Sequence, residues 1–325
     1  MSENVLELQN LTKHFASTSK LRRGTKSAVK AVDGVNLTVG VGETVGLVGE
    51  SGCGKTTLGR TVMKLYEPTS GKIIFDGDDI SSLSRSHMKP IRSKMQMIFQ
   101  DPYSSLNPRH TVGSIISSSF EIHGINPPQG VKIAVQELLE RVGLNPEHIN
   151  RFPHEFSGGQ RQRIGIARAL ALKPKLIVAD EPVSALDVSI QAQVVNLLDD
   201  LQKEMGISYL FIAHDLSVVQ HISDRVIVMY LGKVMEEAAT ADLFSRPRHP
   251  YTKALLSAVP IPDPRVARSR ERIMLSGDLP SPANPPAGCV FSTRCWKVQD
   301  KCKVEAPVLL EISPNHRTAC HFPEN

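Results

Sequence analysis

The 325-residue sequence lacks long apolar runs, and its N-terminus lacks an apolar segment. No stretch approaches the roughly 18 apolar residues of a transmembrane helix, so we expect no spanning segment. The first ten residues, MSENVLELQN, include two acidic residues and no apolar core, so we also expect no secretory signal peptide. These absences predict a protein that starts in the cytoplasm and does not itself cross a membrane.

Compositional extremes and internal repeats are absent as well. Hydrophobic residues make up 41% and charged residues 22%, which excludes the disordered, collagen and coiled-coil classes. The formal net charge of +5 suits an acidic membrane surface or nucleic acid but selects neither. The length is that of about two domains.

Cysteine and tryptophan are nearly absent from the first 285 residues, where Cys53 stands alone. The single tryptophan, Trp296, lies in the tail, as do the four other cysteines: Cys289, Cys295, Cys302 and Cys320. Because a reducing cytosol disfavours disulfides, the four clustered thiols indicate a metal site. A proline-rich stretch from Pro260 to Pro286 precedes them. We therefore predict a large domain over residues 1–255 and a small module over 256–325.

Short apolar runs alternate with helical patterns in the large domain, as in a parallel α/β sheet. The predicted buried strands are Thr44–Val48, Leu176–Ala179 and Tyr209–Ala213. The N-terminal third alternates as half-exposed antiparallel strands do, and its basic run Lys20–Lys26 predicts a solvated hairpin loop. Strand signals disappear over about 105–155, which predicts an inserted helical subdomain.

A glycine-rich loop lies between one of these strands and a predicted helix, which has Leu58, Val62 and Leu65 on one face and stops before Pro68. The run Gly49–Thr56 fits GxxxxGK[ST], the P-loop pattern, in the strand–helix context that this motif requires. Its backbone N–H groups and the helix N-terminus together form an anion site. Lys55 would reach the β- and γ-phosphates, and the Thr56 hydroxyl would bind Mg²⁺. Cys53 is interpreted as a small filler of the loop.

Two acidic residues follow another predicted strand, Leu176–Ala179. The carboxyl end of a strand would place Asp180 beside the P-loop, where it holds Mg²⁺ through water. Glu181 would then orient or deprotonate the attacking water.

A second helix start with glycines is predicted at Ser157–Arg161, SGGQR. Ser157 is predicted to be the N-cap of a helix running from Gln160 to about Leu172, where Lys173-Pro174 stops it. Two glycines allow close backbone approach, so this is a second candidate anion site.

The segment SGGQ resembles the signature sequence of ABC-type ATPases. Other family motifs follow in the family's order. Gln100 resembles the Q-loop glutamine, Ser184–Asp187 the D-loop, and His214 the switch histidine that contacts the γ-phosphate. Phe15 resembles the aromatic residue that stacks on adenine.

The resemblance spans about residues 4–245 and implies an α/β fold, an ABC-type P-loop ATPase with a mixed sheet core, an antiparallel β subdomain and an inserted helical subdomain. It implies Glu181, His214 and Gln100 as catalytic residues, and Thr56, Gln100 and Asp180 around Mg²⁺. The implied ATP-binding set is Phe15, Gly49, Ser51, Gly52, Gly54, Lys55, Thr56, Thr57, Gln100, Asp180, Ser157, Gly158, Gly159 and Gln160. In this family two cassettes sandwich ATP, so Ser157 and Gly159 would contact a γ-phosphate held by a partner's P-loop.

Several longer segments are similar to the ATPases of oligopeptide and dipeptide importers, most of all to the second ATPase subunit of oligopeptide systems. They are QDPYSSLNPR from Gln100, RQRIGIARAL, EPVSALDVS, HPYT from His249, LPSP and the cysteine tail. This resemblance implies peptide import and a position at the cytoplasmic face of the inner membrane. The implied partners are a distinct second ATPase subunit, two transmembrane permease subunits facing the segment after Gln100 and, indirectly, an extracytoplasmic peptide-binding protein; nucleic acid is not among them.

Other functions are weighed against the same features. ABC proteins of translation usually carry two cassettes in one chain, and those of DNA repair insert a long coiled coil between P-loop and signature. Neither feature is present here. An importer of nickel or another small solute shares the cassette and the tail, so it stays the alternative.

The spacing of the four tail cysteines leaves zinc, an iron–sulfur cluster and free thiols open. In the peptide-importer family the matching cysteines hold a [4Fe–4S] cluster. The resemblance therefore implies this cluster in a structural role on Cys289, Cys295, Cys302 and Cys320, with His316 and His321 as reserve ligands.

Overall fold

The computed structural model describes residues 3–16, 28–259 and 272–324. They form two compact units that interleave along the chain. The first unit comprises the described residues up to 6, residues 39–44 and residues 75–212, and the second comprises the remainder. The predicted hairpin loop at Lys20–Lys26 and residues 260–271 of the proline-rich stretch lie outside the described residues.

The first unit contains a parallel sheet of three strands, β6 (Met95–Ile98), β7 (Leu176–Asp180) and β8 (Ser208–Ile212). Strand β7 lies between the other two, with Val178 paired to Met97 on one side and Leu210 on the other. Every residue of β7 and β8 is buried, as expected of strands covered on both faces. The two strands predicted here are confirmed to within one residue.

Most other elements of the first unit are helices, and no described residue between β6 and β7 is in a strand. Two short elements, β5 (Asp78–Asp79) and α2 (Met88–Lys94), precede β6. The others are α3 (Pro102–Ser105), α4 (Val112–His123), α5 (Val131–Arg141), two 3₁₀ helices (Pro146–Asn150 and Pro153–Glu155), α6 (Gly158–Leu170) and α7 (Val188–Met205). The predicted strand-free region is thus helical, and α7 ends at Gly206, whose φ of 64° is the left-handed conformation common just past a helix end.

The second unit contains a mixed sheet. Strand β3 (Thr44–Val48) is parallel to β9 (Arg225–Tyr230), and β9 is antiparallel to β10 (Lys233–Ala239). Two strands from the tail continue this sheet, because β12 (His316–Thr318) pairs antiparallel with β10 and with β11 (Leu310–Ser313). The tail is therefore built into the sheet of this unit.

The remaining strands of the second unit lie side by side in the order β2 (Ala28–Gly40), β1 (Asn4–Ala16) and β4 (Ser70–Phe75). Its helices are α1 (Lys55–Val62), α8 (Leu216–Ile222), α9 (Thr240–Ser245), α10 (Pro250–Ser257) and α11 (Asp300–Val304). Helix α1 is shorter than its apolar spacing predicted. Lys64, just beyond its end, has φ of 52°, a left-handed conformation, and Leu65 is half exposed. Within the described residues, no helix is long and apolar enough to cross a membrane.

Candidate active site

The P-loop connects β3 to α1 in the second unit, and its glycines are required by the packing around them. A Cβ atom on Gly49 would lie 2.2 Å from the Met229 carbonyl oxygen. One on Gly54, where φ is 109°, would lie 2.0 Å from the Ala31 carbonyl oxygen. No side chain fits at either position, so the loop follows the neighbouring backbone closely. Within this loop Ser51 and Gly52 are exposed.

Lys55 opens helix α1 and is almost completely buried. Its Nζ donates to the carbonyl oxygens of Gly49 at 2.7 Å and Glu50 at 3.1 Å, which holds the ammonium group over the loop. No side chain caps the N-terminus of α1, so its first N–H groups and the helix dipole are suited to an anion. Thr56 and Thr57 follow on the first turn and are half-buried.

Phe15 lies on β1 and is half-buried. Its ring meets Tyr66 edge to face, with 5.4 Å between centroids, and Lys13 Nζ lies 4.9 Å from the Phe15 centroid. The structure therefore places an aromatic pair where the sequence predicted one ring. Tyr66 was missed because it lies 51 positions away and belongs to no motif.

Three predicted catalytic and metal-binding residues come together in the first unit. Asp180 ends β7 and is fully buried, and Glu181 follows it. Gln100 Nε2 donates to Glu181 Oε2 at 2.8 Å, which fixes the orientation of the carboxylate. Glu181 has φ of 47°, a left-handed conformation that costs a non-glycine residue about 1–3 kcal/mol and often marks a functional site. Its N–H is held by the Ile212 carbonyl at 2.9 Å.

The signature segment begins helix α6, as its sequence predicted. The Ser157 hydroxyl accepts from Gln160 N at 3.4 Å, and the Gln160 side-chain oxygen accepts from Ser157 N at 3.0 Å. This reciprocal pair is a capping box, so Ser157 is confirmed as the N-cap.

The D-loop and the helix that follows it pack against the two signature glycines. A Cβ atom on Gly159 would lie 2.3 Å from Ile190 Cγ2, whereas one on Gly158 would lie 3.5 Å from Leu186 Cδ2. Only Gly159 is sterically required. Leu186 of the D-loop and Ile190 of α7 therefore lie beside the helix end that is predicted to bind a γ-phosphate.

The segment after Gln100 is attached to the signature helix by two arginines, a link that no motif indicated. The Arg161 guanidinium lies 3.9 Å from the centroid of the Tyr103 ring, and its Nε donates to the Pro153 carbonyl at 2.7 Å. Arg168 Nη1 donates to the Ser105 carbonyl at 2.6 Å. Tyr103 is 65% exposed, so the segment is both surface-accessible and fixed to α6.

His214 lies just beyond β8 and belongs to the second unit. It is exposed, and the residue before it, Ala213, donates its N–H to the Leu47 carbonyl of β3 at 3.1 Å. This hydrogen bond places His214 next to the strand that leads into the P-loop. Asp215 then caps helix α8 by accepting from Ser217 N at 2.8 Å.

Two contacts from beyond residue 250 reach the P-loop, and neither was indicated by a sequence pattern. The Tyr251 hydroxyl accepts from Glu50 N at 2.8 Å, and Arg294 Nη1 donates to Glu50 Oε2 at 2.6 Å. Tyr251 lies on α10 and Arg294 lies among the tail cysteines.

The four tail cysteines line one small cavity, together with His249, Phe291 and His321 among others. Burial, and then the neighbouring Cys320, Cys302 and Cys295 thiols, raise the pKa of the Cys289 thiol to about 11. Within the described residues, no three histidine, cysteine or acidic side chains are placed to hold a metal ion. His316 does not line the cavity, because its Nε2 lies 2.6 Å from Glu236 Oε1 in the interior.

Comparison with known families identifies two regions of the chain. Residues 32–184 match the ABC transporter family, and residues 235–302 match the oligopeptide/dipeptide transporter C-terminal region. The oligopeptide transport ATP-binding protein AppF of Bacillus subtilis is 57% identical over 98% of both chains. A putative peptide import ATP-binding protein of Brucella ovis is 56% identical over 97% of both.

Solved structures share the fold over about three quarters of the chain. The ATP-binding cassette MJ0796, in a dimeric post-hydrolysis state with ADP and Pi, has a TM-score of 0.64 and 29% identity, over 72% of this chain and 98% of that one. The cbiO1 subunit from Clostridium perfringens, part of the ABC transporter complex cbiONQ, has a TM-score of 0.63 and 29% identity, over 75% and 92%. The P-loop, the capped signature helix and the paired Gln100 and Glu181 agree with these matches, and the chain belongs to the ATP-binding subunits of the ABC transporter family.

Proposed function

We propose that this chain is the ATP-hydrolysing subunit that powers import of oligopeptides, or of dipeptides, through a membrane permease. The observation that carries this proposal is the 57% identity to an oligopeptide transport ATP-binding protein over 98% of both chains. The match to the oligopeptide/dipeptide transporter C-terminal region supports the same substrate class.

The residues present suit ATP with Mg²⁺. Asp180 offers a buried carboxylate, Gln100 an amide oxygen and Thr56 a hydroxyl, and oxygen ligands are those that Mg²⁺ prefers. When bound, the ion neutralises charge that develops on the phosphates. Lys55 and the N–H groups at the start of α1 bind the phosphates. His214, just beyond β8, is the proposed contact with the γ-phosphate.

Glu181 is the proposed acceptor for the proton of the attacking water. Its Oε2 accepts from Gln100 Nε2 at 2.8 Å, so the carboxylate is held in one orientation beside Gln100, from which it would orient the water. Gln100 would thereby hold the metal ion through its amide oxygen and the carboxylate through its Nε2. The exposed segment that follows it is the proposed contact with the permease.

The chain has one P-loop and one signature, so we propose that each supplies half of an ATP site. Ser157, Gly158, Gly159 and Gln160 would then complete a site whose P-loop belongs to a distinct second ATPase subunit. ATP shifts the equilibrium toward the closed pair because it binds that state better.

Three substitutions test these roles in the assembled transporter. Glu181→Gln should retain ATP binding and lose turnover by at least about a hundredfold, because the acceptor of the proton is removed. Lys55→Ala should weaken ATP binding by about a hundredfold, because charge-assisted hydrogen bonds to the phosphates are lost. Ser157→Arg should stop hydrolysis at the partner's site and leave binding to this chain's own P-loop intact. Parental turnover in Glu181→Gln would show that another group accepts the proton.

The substrate is tested by transport. In cells without a paralogous system, deletion of the gene should abolish uptake of a labelled oligopeptide and leave nickel uptake unchanged. Normal peptide uptake in the deletion strain contradicts the assignment, and loss of nickel uptake instead supports the small-solute alternative.

The proposed complex contains two transmembrane permease subunits and the second ATPase, at the cytoplasmic face of the inner membrane. An extracytoplasmic peptide-binding protein delivers the substrate to the permeases. The exposed position of Tyr103 on the segment after Gln100 supports a docking role for that segment. Affinity purification from detergent-solubilised membranes should recover all four subunits, and Tyr103→Asp should release the permeases while the chain stays folded.

We also propose that the four tail thiols hold a structural [4Fe–4S] cluster. The supporting observation is that all four line one cavity, which suits four-cysteine ligation. Each thiolate in such a cluster binds a different iron, so the thiols need not converge on one ion. Anaerobic purification should give a brown protein with about four irons and four labile sulfides per chain. One bound zinc, or four titratable thiols without metal, contradicts the cluster.

A further inference from the structure

We propose that Arg294 is a positioning residue of the ATPase, which acts from the cysteine-containing tail on Glu50 of the P-loop and thereby sets the affinity for ATP. The contact that carries this inference is the ion pair between Arg294 Nη1 and Glu50 Oε2, 2.6 Å apart. The two residues lie 244 positions apart in the sequence, so the fold alone brings them together.

This ion pair differs from an ordinary surface pair. The side chain of Arg294 is only 10% exposed and that of Glu50 is 27% exposed. Solvent screening is weaker for such a pair than for an exposed one, and removal of one partner leaves the other poorly solvated. Arg294 therefore holds the Glu50 carboxylate in position and offsets its negative charge.

A second contact holds the backbone of the same residue. Glu50 N donates to the Tyr251 hydroxyl at 2.8 Å, and the Tyr251 ring is fully buried. Its ring centroid lies 4.8 Å from that of Tyr230 and 5.3 Å from that of Phe291. Phe291 and Arg294 belong to one turn, in which Arg294 N donates to the Phe291 carbonyl. The turn thus supports the side chain of Glu50 directly and its backbone through the aromatic rings.

Glu50 affects phosphate binding in two ways. Its carboxylate is a negative charge within a loop that binds a negatively charged triphosphate, and Arg294 neutralises it. Its carbonyl oxygen also accepts from the Lys55 ammonium at 3.1 Å, so its position affects the lysine that contacts the phosphates. A glycine-rich loop is flexible, and fixing it before ATP binds reduces the entropy that binding costs.

Arg294 does not belong to the reacting groups, so it should affect ATP affinity and leave the chemical step unchanged. Arg294→Gln should weaken ATP binding about five- to tenfold, a coupling at the low end of those between linked sites. KM for ATP should rise by the same factor while kcat at saturating ATP stays within about twofold. Arg294→Lys keeps a cation but not the planar guanidinium, so it should weaken ATP binding by only about twofold.

The experiment measures binding of a fluorescent ATP analogue to the full-length chain, and KM and kcat in the assembled transporter. Glu50→Gln removes the charge that Arg294 neutralises, so the double variant Glu50→Gln, Arg294→Gln should bind ATP as Glu50→Gln alone does. Lys303→Gln is the matched control, because Lys303 forms an exposed ion pair with Asp300 on the same module. It should leave ATP affinity unchanged.

Parental affinity in a folded Arg294→Gln overturns the proposal. So do additive effects of the two substitutions, because they would mean that Arg294 acts without Glu50. If Arg294→Gln does not fold, Arg294→Lys is tested instead, alone and combined with Glu50→Gln. The proposal requires that Arg294→Lys weakens ATP binding measurably in the parent chain. It also requires that Arg294→Lys has no effect on ATP binding when Glu50→Gln is present. The inference rests on the proposed ATP binding; a parent chain that fails to bind the ATP analogue would overturn that proposed function rather than the role of Arg294.

Discussion

Helices α1 and α6 both begin beside glycines at a proposed phosphate site, but their first N–H groups are satisfied differently. Helix α1 begins after Gly54, which has no side chain to cap it. Helix α6 begins after Ser157, which forms a capping box with Gln160. The first helix end thus receives no hydrogen bond from an N-cap side chain, whereas the second has a reciprocal cap within its own chain.

This difference suits the proposed division of roles. The uncapped end with the buried Lys55 is suited to bind the phosphates by itself. The capped end can add contacts from the Ser157 hydroxyl, while its Gln160 N–H already donates to that hydroxyl. A tight primary site and a weaker completing site are what two cassettes need if they are to separate after hydrolysis.

Of the substitutions at the two helix ends, the one at Gly54 should cause the largest loss of stability. Gly54→Ala should destabilise the fold by about 4 kcal/mol or more, because its Cβ would lie 2.0 Å from a backbone oxygen that cannot move independently. Gly52→Ala is the control, since that glycine has open space and should cost only about 1–2 kcal/mol for its left-handed backbone. Urea unfolding measures both, and equal losses would mean that the close approach of Ala31 is unimportant.

The stability of the fold around α10, the helix that contacts the P-loop, should depend on pH through His249. Burial lowers the pKa of His249 from 6.5 to about 4, with Glu236 of β10 acting in the opposite direction. As the pH falls, His249 is protonated in the unfolded chain before it is protonated in the folded chain. The contribution of neutral His249 to the free energy of unfolding is therefore complete above about pH 6.5. It falls by up to about 3 kcal/mol as the pH drops toward 4.

His249→Asn tests this expectation. Asparagine keeps an acceptor at the N-cap of α10, where His249 Nδ1 now accepts from Tyr251 N at 3.0 Å, but it does not titrate. Urea unfolding from pH 7 to pH 4.5 should therefore give a shallower loss of stability in this variant. Parallel curves would assign the acid sensitivity to other groups.

At the signature helix, substitution of the two glycines by alanine should lower the stability by unequal amounts. Gly159→Ala should cost about 1–3 kcal/mol, because its Cβ would overlap Ile190 Cγ2, a side-chain atom that can shift. Gly158→Ala meets Leu186 at an ordinary contact distance and should cost less than about 1 kcal/mol. Thermal unfolding measures the difference, and a larger loss for Gly158→Ala would contradict the packing described for the D-loop.

The smallest effect concerns the cap itself. Ser157→Ala removes the hydroxyl that accepts from Gln160 N and should cost about 1 kcal/mol of stability. Ser51→Ala in the P-loop should be nearly neutral in the same unfolding measurement, since α1 has no side-chain cap to lose. A similar loss for both serines would remove the contrast between the two helix ends.

Sequence patterns predicted the local features of these sites well. Glycine, serine and lysine at fixed spacings identified the P-loop and the N-cap of α6, because those features depend on residues close together in the chain. The boundary near residue 255 and the helical subdomain over about 105–155 stay predictions.

Contacts between distant residues were not predictable in the same way. Arg294 reaches Glu50, and Arg168 reaches the Ser105 carbonyl, through packing that no local pattern encodes. The length of α1 was wrong for a related reason, since Leu65 continues the apolar spacing of a helix that ends at Val62. Periodicity indicates which residues a helix would bury, but the tertiary structure decides where it ends.

The pairing of β12 with β10 has a consequence for handling the protein. Strand β12 covers the hydrogen-bonding edge of β10, and His316 on β12 contacts the fully buried Glu236. A truncation before residue 310 would turn β10 into an open edge strand, and such edges recruit strands from other molecules. It would also remove the His316 partner of the buried Glu236 carboxylate. Residues 310–324 therefore protect the edge of β10 from aggregation, and an affinity tag is better placed after them than in exchange for them.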